Sequence, residues 1–314
     1  DEAMPDHRIA AWAAKQLKKT YDRPFFLAVG FYRPHVPQYA PAAWFDPFPA
    51  KTLELPATTE NDLADLSAYA INLTRLKHVA PTHEWVVENH AWAPLVRSYL
   101  ACVSFVDHQV GTVLAALAAS PYRDNTIILL YSDHGFHLGE KARWAKRSLW
   151  EDSTRVPLVI AGPGIARGTV CSKPVQLLDI YPTLLALAGL DADPQLEGHS
   201  LAPLLANPDA DWPHVARTSF GPGNVAIRSE RYRYIRYRDG SEEFYDHARD
   251  PHEWENLIGR PGLAASIEAH RAALPGTHHP LLGEGSTGHA AFHASEAAIR
   301  GAAVAPAQGL TPTR

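Results

Sequence analysis

The chain is 314 residues long and mildly acidic: 34 Asp and Glu against 29 Lys and Arg leave a formal net charge of −5 at neutral pH. That balance argues against nucleic acid as the main partner, and 46% hydrophobic against 20% charged residues exclude global disorder. No apolar run is expected to reach the roughly 20 residues that span a bilayer, no signal peptide is expected at the start, and a start at Asp1 with Met4 as the only methionine is expected of a processed product or a fragment.

Residues 5–19 predict a helix whose Ile9, Trp12, Ala13 and Leu17 share one face, with lysines in its last turn where the helix dipole favours them. Pro24 to Phe31 reads as a buried strand, stopped by the loop Tyr32-Arg33-Pro34-His35-Val36-Pro37. Its prolines stiffen the loop and fix the direction of His35, which spacing alone leaves as either incidental or functional. Residues 38–93 are irregular and proline-punctuated, a length of loop that is usually functional or disordered. Trp44, His83, Trp85, His90 and Trp92 are available there for a sugar ring.

Pro94 begins a long helix with Tyr99, Val103, Val106, Val110, Val113, Leu114 and Leu117 in a stripe at helical spacing. Ile127 to Tyr131 is a continuous apolar run, expected to be a strand buried on both faces. It stops at Ser132-Asp133-His134-Gly135. Ligands of α/β sheets bind beyond the carboxyl ends of the strands, so this carboxylate and imidazole are well sited for chemistry. The alternatives are a turn-capping Asp133 and a satisfied core histidine at His134.

A third apolar run follows at 156–161, then a helix from Asp179, its expected N-cap, to Gly189 as the residue past its end. Strands interspersed with helices indicate an α/β layered domain. After residue 206 the pattern changes to period two, and 231–238 meets 242–246 across Asp239-Gly240-Ser241 as a hairpin. The arginine-tyrosine alternation there reads as half-buried aromatics with solvated arginines rather than an RNA-binding sheet. From 275 onward the chain is a low-complexity tail, expected to be mobile, in which His278, His279, His289 and His293 are scattered. Cys102 and Cys171 form no metal-type pair, and Cys102 sits in a helical apolar pattern as a small core residue.

The segments YSDHGFHLGEKARWAKRSLWEDSTRVPLVIAGPG, FFLAVGFYRPHVP and SYLACVSFVDHQVG resemble the sulfatases of the alkaline-phosphatase superfamily, most of all the iduronate-2-sulfatase-like branch. PVQLLDIYPTLLALAGL and RSERYRYIRYRDGSEEFYDHARDPHEWENL fit the same family, so the resemblance covers roughly residues 1–260. It implies an alkaline-phosphatase-like layered α/β/α sheet, incomplete at its amino-terminal side, with a small antiparallel C-terminal subdomain. The implied division is 1–206 for the carboxyl-terminal part of the catalytic domain, 207–274 for a β-plus-helix subdomain and 275–314 for the tail.

The resemblance also implies chemistry. Sulfatases use a divalent cation, most often Ca2+ with Mg2+ as the alternative, and a formylglycine made from cysteine, whose hydrate attacks sulfur and releases the alcohol. By motif match Asp133 is a metal ligand with His134 beside it, Lys146 contacts the sulfate, and His35 sits beside the sulfate or leaving oxygen. His137 is a weaker candidate for the pocket wall, and Glu140 for anchoring its loop. A fixed cation, a lysine and a histidine aimed at a sulfate ester suit the charge that builds on its oxygens.

One departure is large. The paired-aspartate motif and the C-x-P-S-R nucleophile segment of a sulfatase are not in this sequence, and neither Cys102 nor Cys171 matches them. The nucleophile is therefore expected outside this chain, and the isolated chain is expected to be inactive or nearly so. The expected partner is a sulfated small molecule or glycan, with no nucleic acid and no membrane segment; the sequence does not specify an oligomeric state. Export is expected from the family alone. The competing readings are a phosphonate or phosphate monoester hydrolase and a non-catalytic binding or assembly module.

Overall fold

In a computed structural model the chain is described over residues 1–75 and 80–278; the tail expected from residue 275 lies outside them from 279 onward, with His279, His289 and His293. Helix α1 (Pro5–Leu17) begins with proline, whose missing N–H is no loss at a helix start. Its buried side is Asp6, Ala10, Ala13 and Leu17, whereas Trp12, expected inward, is exposed. The face is turned because Asp6 finds partners inside: its two carboxylate oxygens accept the backbone N–H groups of Tyr32 and Arg33.

Helices α2 (Ala68–Thr74) and α3 (His83–Glu88) punctuate the proline-rich stretch, and α4 (Trp92–Ala118) follows. Helix α4 packs against α1. Val96, Ala101, Cys102 and Phe105 are buried in it, while Val103 and Leu114 of the expected stripe are exposed. Apolar residues nearly encircle this helix, so periodicity alone does not choose the inward side. At 27 residues and a mean hydropathy of 1.5, α4 is long and apolar enough to cross a membrane by length and composition, which corrects the expectation that no segment is. It also carries Arg97, whose guanidinium donates to the Phe45 and Phe48 carbonyls.

Strand β1 (Ile128–Tyr131) leads to the short antiparallel pair β2 (His137–Leu138) and β3 (Trp144–Ala145), then to a one-turn helix α5 (Glu151–Thr154) and strand β4 (Leu158–Ala161), which pairs with β1. The expectation of strands buried on both faces is corrected here. Strand β1 is half-buried with Tyr131 exposed, and its sheet has two strands among the described residues. Residues 24–31 are extended but join no described ladder; Phe25, Leu27, Val29 and Phe31 are half-buried in alternation with Phe26, which is 81% exposed.

Helix α6 (Ile180–Leu187) ends at Ala188, and Gly189 adopts the left-handed conformation (φ +67°) expected of the residue past a helix end. Asp179 does not cap α6 through its side chain. It is buried and accepts the N–H groups of Gln176 and His199, tying the connection back on itself. After α7 (Ala202–Ala206) comes a four-stranded antiparallel sheet of β5 (Ala216–Ser219), β6 (Val225–Arg228), β7 (Tyr232–Arg236) and β8 (Glu242–Asp246), in that order, and then α8 (Ala264–Ala272). One face buries Ala226, Ile235 and Tyr245 with Leu66, Leu149 and Trp150; the other buries Ile227, Tyr234 and Phe244 with Ile267 of α8. With both faces covered, Arg233 cannot be solvated as expected: it is buried between Glu151 and Glu253.

The chain divides into two compact units, Asp1–Pro56 with Val86–Ile128, and Ala57–Trp85 with Leu129–Arg314.

Candidate active site

The loop after β1 is held by contacts of its own backbone. Ser132 Oγ donates to the His134 carbonyl at 2.9 Å, and Gly135 N donates to the Ser153 carbonyl of α5 at 2.9 Å. Gly135 lies so close to α5 that a Cβ there would sit 2.1 Å from the Asp152 carbonyl oxygen. This close approach leaves Asp133 projecting, 81% exposed, with its Oδ2 3.6 Å from His134 Nε2. His134 is partly buried, its Nδ1 2.7 Å from the Gly135 carbonyl.

Lys146 follows β3 directly. Partial burial pushes its pKa down, and the Asp133 carboxylate opposes that shift, so the two charges lie within each other's field. The approach to Lys146 is conformationally costly: Lys141, Ala142, Ala145 and Arg147 all have positive φ, from 47° to 70°. Such backbone persists only where its surroundings over-determine it. Here they do. The buried Lys141 ammonium pairs with Asp62 and donates to the Glu253 carbonyl. The buried Arg143 guanidinium donates to the carbonyls of Lys146 and Arg147.

His137 does not reach solvent. It is fully buried, edge-on to Trp150, and its Nε2 bonds Ser148 Oγ at 2.7 Å. Burial and the neighbouring Arg143 charge push its pKa down to about 3, so the ring is neutral. Glu140 holds its loop: its Oε2 accepts the Leu138 N–H at 2.6 Å.

His35 belongs to the other unit. It is exposed, its ring lies 4.8 Å from that of Tyr32, and its Nδ1 is 2.7 Å from the Val36 carbonyl. The loop is fixed less by its prolines than by Asp6 and by Arg33, which donates to the carbonyls of His35 and Pro37. Thus Asp133, His134 and Lys146 belong to one unit, with Asp133 beside His134, and His35 belongs to a hydrogen-bonded loop of the other. Of the aromatic residues expected to meet a sugar, Trp44 packs on Phe105 of α4, Trp144 donates from its indole N–H to His83, and Trp85 is exposed. Asp6, Asp62, Lys141 and Arg143 escaped the sequence reading. An acid in a first helical turn reads as a dipole partner and a lysine as solvated, and no local signal says otherwise.

Neither cysteine fits a nucleophile. Cys102 is buried, its thiol donating to the Tyr39 carbonyl, and burial pushes its pKa up to about 11. Cys171 is exposed, with its thiol donating to the Pro208 carbonyl.

Two family models match the chain: Sulfatase over residues 2–190, and N-sulphoglucosamine sulphohydrolase, C-terminal, over residues 139–275. A sulfatase of Formosa agariphila is 44% identical over 88% of this chain and 55% of its own. A solved structure in complex with its substrate, D-glucosamine-2-N,6-O-disulfate, is 31% identical with a TM-score of 0.54, over 59% of this chain and 40% of that one. The phosphonate monoester hydrolase of Agrobacterium radiobacter is 26% identical with a TM-score of 0.69, over 84% of this chain and 58% of that one. The fold is thus the mixed α/β fold of alkaline-phosphatase-like sulfatases. The chain spans about half the length of the curated relatives it matches.

Proposed function

The chain belongs to the sulfatase family, and from that premise we propose that Asp133, His134 and Lys146 form one wall of a sulfuric ester hydrolase site. The observation that carries the reading is the Asp133 carboxylate, exposed beyond the end of β1 and 3.6 Å from His134, whose charge acts on the half-buried Lys146 ammonium. Lys146 meets the anionic sulfate oxygens as a fixed counter-charge. His35, on its rigid loop, is proposed to sit beside the sulfate or the leaving oxygen and hold a proton there. His137, sealed behind the loop, supports the wall without touching substrate.

Ca2+ takes six to eight oxygen ligands and Mg2+ six. Asp133 offers a carboxylate and His134 a nitrogen, so they fit as part of a donor set and do not complete one. When bound, the cation would supply charge stabilisation to the ester oxygens. The nucleophile is proposed to be a formylglycine contributed from outside these 314 residues, with the isolated chain inactive or nearly so. A sulfated sugar is the proposed substrate, supported by the relative solved with a disulfated glucosamine. An iduronate-2-sulfatase-like branch and export rest on the motif resemblance. The second reading, a phosphonate monoester hydrolase, is favoured by the likeness to such an enzyme.

Calorimetric titration of the chain in calcium buffer with glucosamine 6-sulfate, glucosamine and a phosphonate monoester tests this. The expected result is preference for the sulfated sugar, weakened roughly tenfold in Lys146→Ala, as for loss of one charge-assisted contact. Equal binding of glucosamine, or indifference to Lys146→Ala, refutes the assignment; preference for the phosphonate selects the second reading.

A further inference from the structure

Behind the Asp133 loop a second group of ligating atoms converges. His137, Glu140 and Asp152 present a ring nitrogen and two carboxylate oxygens that all lie within 4.8 Å of one another. His137 Nε2 bonds Ser148 Oγ at 2.7 Å, and Ser148 Oγ bonds Ser153 Oγ at 2.6 Å, so that side of the ring is engaged by the serine pair. Nδ1 is the ring nitrogen turned to the two carboxylates. It is fully buried and has no hydrogen-bond partner. It faces Asp152 Oδ2 at 3.9 Å, too long for a hydrogen bond.

A ring nitrogen facing two carboxylates is a set of three ligating atoms. Two ligands each about 2.0–2.2 Å from one cation stand roughly 3–4 Å apart, so the spacing suits an ion between them. The serine pair fixes the ring from behind, as the outer partners of metal-bound histidines do. Burial, followed by the Glu140 charge, pushes the Asp152 carboxyl up to about 7, and burial likewise raises Glu140. An open cleft of about 560 Å³, lined by Glu151, Asp152, Arg155, Pro157 and His252, reaches Asp152 of this group. The other group of similar composition, Glu151, His247 and Glu253, already holds the Arg233 guanidinium.

We propose that His137 Nδ1, Glu140 and Asp152 bind a divalent transition cation of the zinc class, at a site separate from Asp133 and His134. One nitrogen and two oxygens suit Zn2+ and disfavour Ca2+, which takes oxygen ligands. The ion would join the β2 strand to α5, against which Gly135 is packed, and so brace the loop carrying Asp133.

The test is calorimetric titration of the chelator-stripped full chain with Zn2+, repeated with Co2+ by visible absorption, for wild type, Asp152→Asn, Glu140→Gln and Asp133→Asn. Circular dichroism confirms that each variant is folded, and Asp152, half-exposed, tolerates substitution better than buried His137. The expected result is one Zn2+ equivalent that Asp133→Asn retains and that Asp152→Asn and Glu140→Gln each weaken roughly tenfold or more, with Zn2+ raising the melting temperature of wild type but not of Asp152→Asn. Titration unchanged in Asp152→Asn overturns the proposal, as does absence of Zn2+ binding in wild type, which would leave a proton as the group's counter-ion.

Discussion

Replacing Arg233 by methionine keeps a long side chain in the core and removes its charge. Arg233 is buried on β7, paired with Glu151 and with Glu253 at 2.5 Å, and it donates to the Leu149 carbonyl at 3.1 Å. Burial alone would push the Glu253 carboxyl up; Arg233 foremost, and then His247, hold it down at about 2 against an ordinary 4.5. At about 1.36 kcal/mol per pKa unit, that corresponds to about 3 kcal/mol of stability, in line with the roughly 3–5 kcal/mol for breaking a buried pair. A depressed pKa contributes fully above the unfolded value of 4.5 and is lost as pH falls through it toward 2. Urea unfolding followed by tryptophan fluorescence, with Trp150 in the same core, should therefore show Arg233→Met less stable by about 3 kcal/mol at pH 7. At pH 3 the difference should shrink by roughly 2 kcal/mol, because wild type has by then lost most of that term. A difference under about 1 kcal/mol at pH 7, or one equally large at both pH values, refutes the electrostatic account.

Glu243 behaves oppositely: burial pushes its carboxyl up to about 7, while Tyr245 and Trp150 hydrogen bonds oppose the shift only in part. Stability from its protonated form is full below 4.5 and lost as pH rises through 7, so Glu243→Gln should flatten the pH dependence over that window and exceed wild type at pH 8 by up to about 3 kcal/mol; an unchanged slope in denaturation from pH 5 to 8 would count against it. Gly135→Ala forces a Cβ to within 2.1 Å of the Asp152 carbonyl oxygen. It should cost about 2 kcal/mol or more by thermal denaturation, and a variant that melts with wild type would show that the Asp133 loop is not pinned there.

Local pattern was enough to place α1, α4, α6 and the β7–β8 hairpin, because each depends on spacing, on a proline or glycine at an end, or on a turn triplet. The same pattern misread which side faces in. Trp12 and Leu114 are as apolar as their inward neighbours, and the side is chosen by partners that lie elsewhere in the chain, such as the Tyr32 and Arg33 amides that draw Asp6 inward. Arg233 was read as solvated for the same reason. Its partners Glu151 and Glu253 lie 82 residues before it and 20 after it, and nothing in the arginine-tyrosine alternation indicates them. The proposed site divides in the same way: Asp133, His134 and Lys146 are motif positions, while Asp62, Lys141 and Arg143, which hold the backbone around Lys146, carry no local signal.

That asymmetry has a physical basis in the Lys146 segment. Four residues between 141 and 147 occupy positive φ, a conformation that costs about 1 kcal/mol or more for each such residue. Local sequence cannot supply that energy. It comes from a buried lysine held by Asp62, 79 residues earlier, and by the Glu253 carbonyl, 112 residues later. Glu253 in turn accepts the Glu151 amide and is held by Arg233 of the C-terminal sheet. The antiparallel sheet is therefore part of what orients Lys146, although none of its residues belongs to the proposed substrate-binding wall. A motif written as Asp-His followed twelve residues later by Lys records only the outcome of this network. The strain between those residues is the reason the sheet must be present for the motif to have its shape.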